Sequence, residues 1–326
     1  MKHVKRGILY LLGAFWAVIT LYPLFFTLIS SFKNNNEIFS SDSALQLPSI
    51  LRFENYYEAI VTGGMVRALL NSLLLAGMST LLVVLLASMV SYTISRFRYK
   101  LSDVACIFFL LSITFLLAGK TIWFIIFCLA SVGGFVISFY FRKLNNNFYH
   151  KFNNILYTLF LLGIMIPVYA ILVPLNKTMV DIKGTDNLFV LALVYTAFRL
   201  PLSIMIVTAA MRGISRSMDE AALIDGCGPF RLYSHIILPL SVPALSTVGI
   251  LTFLEVYNDL LFGVMFLNNP KLYTIPRAMQ IFVGSKVTAF GPIFASIILA
   301  IGPMIAIYLL FQSKVERGLT AGATKE

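Results

Sequence analysis

The chain has 326 residues, of which 59% are hydrophobic and 12% are charged, and its mean hydropathy is +0.88. A soluble domain carries about 25% charged residues, because its surface has to stay hydrated. The composition therefore excludes a water-soluble globule, and the long apolar blocks predict an integral membrane protein.

The formal net charge of +11 would suggest nucleic-acid binding if the basic residues lay on one soluble face. They are spread through short loops between apolar blocks, which is the pattern of positive-inside topology. We therefore expect the lipid bilayer, and no nucleic acid, as a partner. Cys106, Cys128 and Cys227 have no CxxC spacing and the three histidines are scattered, so the sequence predicts neither a disulfide nor a metal site.

Apolar segments long enough to cross a bilayer recur eight times along the chain. A hydrocarbon core of about 30 Å needs roughly 20 helical residues. The predicted fold is therefore all-α, a polytopic transmembrane helical bundle. The predicted spans are residues 8–31, 67–94, 103–118, 121–141, 154–174, 188–210, 243–267 and 289–312.

Topology follows from the number of spans and from the positions of the basic residues. An even number of spans puts both termini on one side, and the segments on that side hold more Lys and Arg than the opposite segments. We therefore expect cytoplasmic termini in a plasma membrane protein. The hairpin of residues 103–141 can be removed without changing the remaining topology, so it behaves as an insertion. Its turn, Gly119-Lys120-Thr121, lacks the glycine spacing and the preceding strand of a phosphate-binding loop.

The sequence also predicts a structured loop after the first span and a kink in the fifth span. The polar segment of residues 32–66 should form a loop with a short amphipathic helix around residues 55–60. Pro167 and Pro174 in the fifth span predict a kink, which membrane helices tolerate.

Residues 211–243, here called the elbow, connect the sixth and seventh spans. Ser217 and Glu220 have the spacing of a capping box, which predicts a helix that begins near Met218. Gly226 should end this helix in a left-handed conformation. Pro229 suits the first turn of a second helix.

The second elbow helix has an apolar stripe in the sequence. Phe230, Tyr233 and Ile237 recur at helical spacing, and Pro239 should end the helix. One interpretation is a connector whose stripe packs on its own spans. However, a connector needs only a few residues, and the small Ala221 and Ala222 beside Gly226 would suit close approach by a partner.

The elbow resembles the EAA loop of binding-protein-dependent ABC importer permeases. The resemblance lies in Glu220-Ala221-Ala222, Asp225-Gly226, Ile236, Leu238 and Pro239. In that family the loop carries a short coupling helix that seats in a groove of the cytoplasmic ATPase. The resemblance therefore implies ATPase coupling through Glu220, Ala221, Ala222, Asp225, Gly226, Phe230, Leu238 and Pro239.

Other fragments resemble the carbohydrate branch, the maltose-permease G-subunit type. They are Asn71-Ser72, Ser91-Tyr92 with Arg96, Leu200-Pro201 and the tail of residues 318–323. In related permeases such a tail contacts the ATPase dimer, which implies that role for Gly318, Leu319, Thr320 and Gly322. The resemblance covers about residues 1–100 and 152–326, and the 103–141 hairpin has no counterpart in the usual six-span plan.

The resemblance implies a single permease domain over residues 1–326, with the six-helix core of a type I importer plus the inserted hairpin. Such a subunit is not an enzyme and has no cofactor of its own, because ATP and Mg are used by a separate ATPase. The implied partners are a second homologous permease, a cytoplasmic ABC ATPase dimer and an extracytoplasmic solute-binding protein. The expected cargo is a sugar or oligosaccharide.

Ionisable groups within a span are candidates for the translocation path. Glu255 and Asp259 are four residues apart, on one face of the predicted seventh span, and Asn258 lies beside them. Arg199 is a fourth candidate. The alternative is that the two carboxylates face the partner permease, or pair with Arg199 or Arg277.

Two departures from the family pattern matter. Ser215 stands where the family often has proline, which affects the start of the coupling helix. Tyr257 precedes Asn258-Asp259 where the family often has tryptophan. This position lies in a predicted span that could touch the transport path, so the departure weakens any inference about the solute.

Rival functions stay open at this point. A permease of the same superfamily could import amino acids, polyamines or phospho-glycerol. A channel or secondary transporter could work without an ATPase, although the sequence has no internal repeat or clear proton relay. An intramembrane enzyme would need a nucleophile–base or metal constellation that the sequence does not offer.

Overall fold

The computed structural model describes residues 2–40, 46–96, 157–283 and 288–323. Both spans of the predicted 103–141 hairpin lie outside the described residues, as do the first residues of the predicted fifth span. The helices are α1 (Lys2–Ser30), α2 (Asn35–Phe39), α3 (Glu54–Val61), α4 (Met65–Arg96), α5 (Tyr157–Met165), α6 (Val168–Asp181), α7 (Leu188–Gly213), α8 (Arg216–Ile224), α9 (Pro229–Leu240), α10 (Val242–Asn258), α11 (Leu261–Phe266), α12 (Ile275–Met279) and α13 (Phe290–Ala323).

Within these ranges, four helices are long and apolar enough to cross a membrane: α1, α4, α7 and α13. Two bent pairs can each form a further span, with a bend of 96° between α5 and α6 and of 71° between α9 and α10. The helices agree with six of the eight predicted spans. The predicted seventh span is wrong at its end, because α10 stops at Asn258 and the shorter α11 follows.

The break between α5 and α6 lies at Ile166 and Pro167, as the proline predicted. Ile166 is extended, with φ −75° and ψ 112°, because a residue before proline is sterically disfavoured in the helical region. Pro174 is accommodated inside α6 without ending it.

Helix α1 is apolar and exposed along most of its length. Its side chains from Leu9 to Phe25 are all exposed, and Trp16 has 69% of its surface accessible. Such a surface is stable against lipid or another apolar surface, and costly in water.

The chain divides into two compact units. Five helices have residues in both units: α4, α6, α7, α10 and α13. The first unit comprises Met1–Leu82, Ile171–Thr196 and Gly249–Arg317. Inside it, the buried amide of Asn55 on α3 donates to the carbonyls of Ser31 at 2.8 Å and Lys33 at 3.0 Å. The predicted amphipathic helix at residues 55–60 is thus confirmed, and its buried residues include Ala59.

Helix α2 was not predicted. The side chain of Asn34 accepts from the Glu37 amide at 2.7 Å, while the Glu37 carboxylate accepts from the Asn34 amide at 3.1 Å. This reciprocal pair is a capping box, and the Asn-x-x-Glu spacing in the sequence could have revealed it.

The second unit comprises Val83–Ala170, Ala197–Val248 and Gly318–Glu326. Its described core joins the last turns of α4 to α7, α8, α9 and α10. The elbow is therefore part of the folded core rather than a flexible connector. The fully packed members of this core are Val83, Ala87, Tyr92, Ile94, Ile204, Val207, Met211, Ala222, Leu232, Ile237, Leu245 and Val248.

Candidate functional site

Helix α8 begins at Arg216, two residues earlier than the capping-box spacing predicted. Ser215 is the N-cap residue, and its Oγ accepts a hydrogen bond of 3.3 Å from the Ser217 amide. The hydroxyl oxygens of Ser215 and Ser217 also lie within hydrogen-bond distance of each other, 2.7 Å apart. The prediction that Ser217 and Glu220 form a capping box was therefore wrong. Asp219 lies in the first turn, where a negative charge is favoured by the helix dipole.

The end of α8 confirms the role predicted for Gly226. Its φ is +77°, a conformation that residues with a side chain rarely adopt. The Cys227 amide donates to the Ala222 carbonyl at 2.9 Å and the Gly226 amide donates to the Leu223 carbonyl at 3.0 Å. These two bonds are the Schellman arrangement, which closes the helix and turns the chain sharply.

Helix α9 begins as predicted, with Gly228 as N-cap and Pro229 in the first turn. Its middle differs from the prediction, because Tyr233–Ile237 form a π-helical turn. Pro239 does not end the helix, which continues to Leu240. A proline clashes with the regular turn before it, and the wide π turn at this position relieves that conflict.

The elbow has a buried face that the sequence pattern did not identify fully. Ala222 is only 4% exposed and belongs to the core, so it does not offer the outward close-approach surface that was predicted for it. The predicted stripe is also wrong at Phe230, which is 80% exposed, because the π turn changes the residue spacing. Ile237 is fully buried, and Leu238 is partly buried against the same core.

The opposite face of the elbow is exposed and largely apolar. It includes six of the residues predicted to couple to an ATPase, together with Leu223 and Ile224, which the sequence analysis missed. Ile224 is 86% exposed, and covering such an apolar side chain with a partner would be favourable. The exposed members are Glu220, Ala221, Leu223, Ile224, Asp225, Gly226, Phe230 and Pro239.

The elbow is tied to the last turns of α4 by polar contacts. The guanidinium of Arg96 lies 3.3 Å from the Asp219 carboxylate and donates to the Ile214 carbonyl at 3.1 Å. The hydroxyl of Tyr92 donates to the Pro229 carbonyl at 2.8 Å. The Ser88 hydroxyl lies 2.8 Å from that of Tyr233.

The fragments that resembled the carbohydrate branch also make specific contacts. In the first unit, the Asn71 amide donates to the carbonyls of Lys271 and Tyr273, both at 3.0 Å. The Ser72 hydroxyl accepts from the Ile275 amide at 2.9 Å. These bonds hold the segment after α11 against the first turns of α4.

The candidate path residues on the predicted seventh span do not share one helical face. Helix α10 ends at Asn258, so Asp259 lies beyond it. The Asp259 carboxylate accepts hydrogen bonds from Tyr195 at 2.7 Å and from the Phe262 amide at 2.9 Å. Glu255 and Asn258 are exposed. Asp259 makes these contacts instead of the ion pair with Arg277 that was one of the predicted alternatives. The guanidinium of Arg277 lies over the Tyr273 ring, 4.5 Å from its centre.

The remaining predicted residues lie on long helices. Arg199 is half-buried on α7 in the second unit, two residues before Pro201. The predicted ATPase-contacting residues Gly318, Leu319, Thr320 and Gly322 belong to the last turns of α13.

A family model described as "Binding-protein-dependent transport system inner membrane component" matches residues 134–321, which include the whole elbow. The chain belongs to this family. This permease is therefore a multi-pass membrane component of a transport system, as the resemblance of its elbow to the EAA loop implied.

Relatives match this permease over nearly its whole length. A protein of Caldicellulosiruptor sp. strain Rt8B.4, named as an ABC transporter permease, is 30% identical over 100% of this chain and 98% of its own. A trehalose/maltose transport system permease of Thermococcus litoralis is 26% identical over 99% of both chains. A diacetylchitobiose uptake system permease of Streptomyces coelicolor is 26% identical over 94% of this chain and 85% of its own.

Among solved structures, a chain of a bacterial ABC transporter involved in the import of the acidic polysaccharide alginate matches this permease with a TM-score of 0.64. It is 15% identical, and the match covers 95% of this chain and 96% of that one. This likeness shows that the two share a fold.

Proposed function

We propose that this permease is the membrane-spanning subunit of an importer that takes up a sugar or oligosaccharide delivered by a solute-binding protein. The cargo class is supported by the names of its relatives, which include a trehalose/maltose and a diacetylchitobiose permease. The chain itself carries out no covalent chemistry. ATP and Mg are used by a separate ATPase dimer, and a second homologous permease completes the path.

The observation that carries the proposal is the exposed face of the elbow. Leu223, Ile224 and Phe230 are 60%, 86% and 80% exposed. They lie around a turn that is closed by the Schellman bonds and held to the core from its other side. A rigid, exposed apolar knob with the carboxylates of Glu220 and Asp225 at its edge is suited to a groove on a protein partner.

Rigidity makes the knob useful for transmitting motion. The buried side of the elbow packs on α4, α7 and α10. Helices α4 and α7 are long and apolar enough to cross a membrane, and α10 is part of a bent pair that can do so. A displacement of the knob would therefore move these helices rather than bend a loop. With the elbow on the cytoplasmic side, both termini are cytoplasmic and the tail of α13 ends on the side of the ATPase.

The translocation path belongs to the same proposal. Glu255 and Asn258 are exposed near the end of α10 and are suited to line it. Asp259 is suited to fix the shape of the segment after α10, and Arg199 is a further path candidate on α7.

Photo-crosslinking tests where the partner docks. A photo-crosslinking side chain at Ile224 should capture a nucleotide-hydrolysing protein in membranes, whereas the same group at Leu251, exposed on α10, should not. Capture of the ATPase at neither position, in membranes that contain the complete transporter, would contradict the docking role of the elbow.

The cargo is tested separately with the purified complex and its solute-binding protein. Maltose, trehalose and diacetylchitobiose should be compared with glutamate, spermidine and glycerol 3-phosphate for stimulation of ATP turnover. Stimulation by a saccharide alone would support the proposal. Stimulation by one of the other three would replace the cargo class, and uptake driven by an ion gradient without an ATPase would overturn the mechanism.

A further inference from the structure

Arg96 is the last residue of α4 and its side chain is only 4% exposed. A buried guanidinium is costly unless it is paired and hydrogen-bonded. One nitrogen lies 3.3 Å from the Asp219 carboxylate, and another donates to the Ile214 carbonyl at 3.1 Å. A single side chain of α4 therefore holds both the residue that precedes the N-cap of α8 and the first turn of α8.

The second basic residue near Asp219 is placed differently. Arg216 lies 3.6 Å from the same carboxylate oxygen, but its side chain is 59% exposed. An exposed pair of this kind is screened by water and contributes little. Arg216 also donates to the carbonyls of Ser95 and Arg96, so it too connects α8 to the end of α4. A better comparison for Arg96 is Arg67, which is exposed near the start of the same helix.

The buried pair of Arg96 and Asp219 also contains two polar atoms that make no hydrogen bond among the described residues. Nε of Arg96 and Oδ1 of Asp219 are both buried, and neither has a hydrogen-bond partner among residues 2–40, 46–96, 157–283 and 288–323. Arginine and a carboxylate can form two parallel hydrogen bonds, whereas this contact uses one oxygen. The guanidinium is instead held at two points by two different groups, the Asp219 carboxylate and the Ile214 carbonyl.

We propose that Arg96 is a positioning residue for energy coupling, which holds the start of α8 through Asp219 so that displacement of the elbow pulls on α4. This proposal rests on the docking of an ATPase at the elbow. Because the guanidinium contacts the Asp219 carboxylate and the Ile214 carbonyl through different nitrogens, a displacement of α8 is passed to the end of α4. Lysine at position 96 retains the charge but cannot hold the carboxylate and the carbonyl as the planar guanidinium does, because its ammonium group is a single point of charge.

The test compares Arg96→Lys, Asp219→Asn and the control Arg67→Lys in the complete complex, with ATP and vanadate as the probe. Three quantities are measured: the ATPase that co-purifies with the tagged permease, its ATP turnover, and the nucleotide-dependent change in hydrogen exchange of residues 88–96. This last quantity needs no knowledge of the cargo.

In the unaltered complex, we expect ATP and vanadate to change exchange in both α8 and residues 88–96. Arg96→Lys and Asp219→Asn should keep the ATPase and the change in α8, while the change in residues 88–96 falls about fivefold or more, the size of a typical coupling between sites. Arg67→Lys should leave all three quantities within about twofold of the unaltered complex, because Arg67 is exposed and lysine keeps its charge.

Several outcomes would overturn the role of Arg96. These are a nucleotide response of residues 88–96 that is absent from the unaltered complex, a response that survives both substitutions, and a loss of the ATPase in proportion to the response. Loss of both variants from the membrane would also overturn it, since the pair would then serve folding alone. Failure of the unaltered permease to retain any ATPase would instead refute the proposed function.

Discussion

The phenolic oxygen of Tyr195 lies 2.7 Å from the carboxylate of Asp259 and donates a hydrogen bond to it. Tyr195 is almost fully buried on α7, and its ring contacts that of Phe262 at 5.3 Å. The same oxygen of Asp259 accepts from the Phe262 amide. A residue that suggested a solute contact in the sequence therefore connects α7 to the first turn of α11.

Tyr195→Phe should lower the thermal stability of the permease in detergent. The substitution keeps the ring and removes one hydrogen bond to a charged acceptor, which is worth about 1.5–3 kcal/mol. Tyr57→Phe is the control, because Tyr57 is 67% exposed on α3. Equal melting temperatures for the two variants would contradict an anchoring role for Asp259.

Gly226→Val should abolish ATP-driven transport while the protein still reaches the membrane. Among the described residues, no atom lies within 4 Å of a Cβ added at Gly226 or at Gly228, so the first side-chain carbon has room at both positions. Only Gly226 has a positive φ, and the left-handed conformation costs a residue with a side chain about 1–2 kcal/mol.

Gly228→Val, at φ −71°, is the matched control and should retain most of the ATP turnover. Gly226→Asn should recover part of the activity, because asparagine tolerates this conformation. Equal turnover in Gly226→Val and Gly228→Val complexes would show that the sharp turn is not required.

Ser215→Ala should destabilise α8 by about 1 kcal/mol, the usual loss for an N-cap residue. Ser217→Ala should have a smaller effect, because Ser217 supplies a backbone donor that alanine keeps. Hydrogen exchange of residues 216–219 in the purified protein measures the difference. A larger effect of Ser217→Ala would restore the capping box that the spacing suggested.

The start of the chain's second helix should respond to acid. The pKa of Glu37 lies below its usual value, chiefly because the Ser49 hydroxyl donates to its carboxylate, with a further bond from the Asn34 amide. A depressed pKa in the folded state stabilises this segment above the carboxyl's ordinary pKa, and that stabilisation is lost as the pH falls through the folded-state pKa.

Exchange of the Asn34 amide, followed from neutral pH to the acid range, should therefore rise once Glu37 is protonated, after correction for the intrinsic pH dependence. Glu37→Gln should show faster exchange at neutral pH and little further change on acidification. The same acid response in Glu37→Gln would assign the effect to another group.

Deletion of residues 103–141 should leave a permease that still inserts with both termini on one side. The deletion removes an even number of predicted spans, so the orientation of the remaining helices is kept. Protease protection of tags at the two termini tests this expectation. Failure of the shortened chain to insert would show that the hairpin is integral to the fold.

Sequence reasoning succeeded where the covalent structure of one residue limits the backbone. The left-handed Gly226, the helix start at Pro229 and the break at Pro167 all follow from such limits. Hydropathy predicted the apolar helices for a second reason, since the lengths of the spans follow from the bilayer rather than from partners within the chain.

Sequence reasoning failed where a distant contact decides between equivalent local options. Ser215 and Ser217 are both suitable caps, and the choice is fixed by the position of Asp219 against Arg96, over a hundred residues away in the chain. The burial of Ala222 and the exposure of Phe230 depend on the same packing, which residue spacing does not encode.

The π-helical turn of Tyr233–Ile237 also determines the direction in which the tip of the elbow faces. Such a turn holds one more residue than a regular helical turn, and each residue of an α-helix adds about 100° of rotation. Deleting one residue from this stretch, while Pro239 and α10 stay in place, would swing Phe230 by about a quarter of a circle. The face that we propose docks on the ATPase would then point in another direction, although every side chain on it was unchanged.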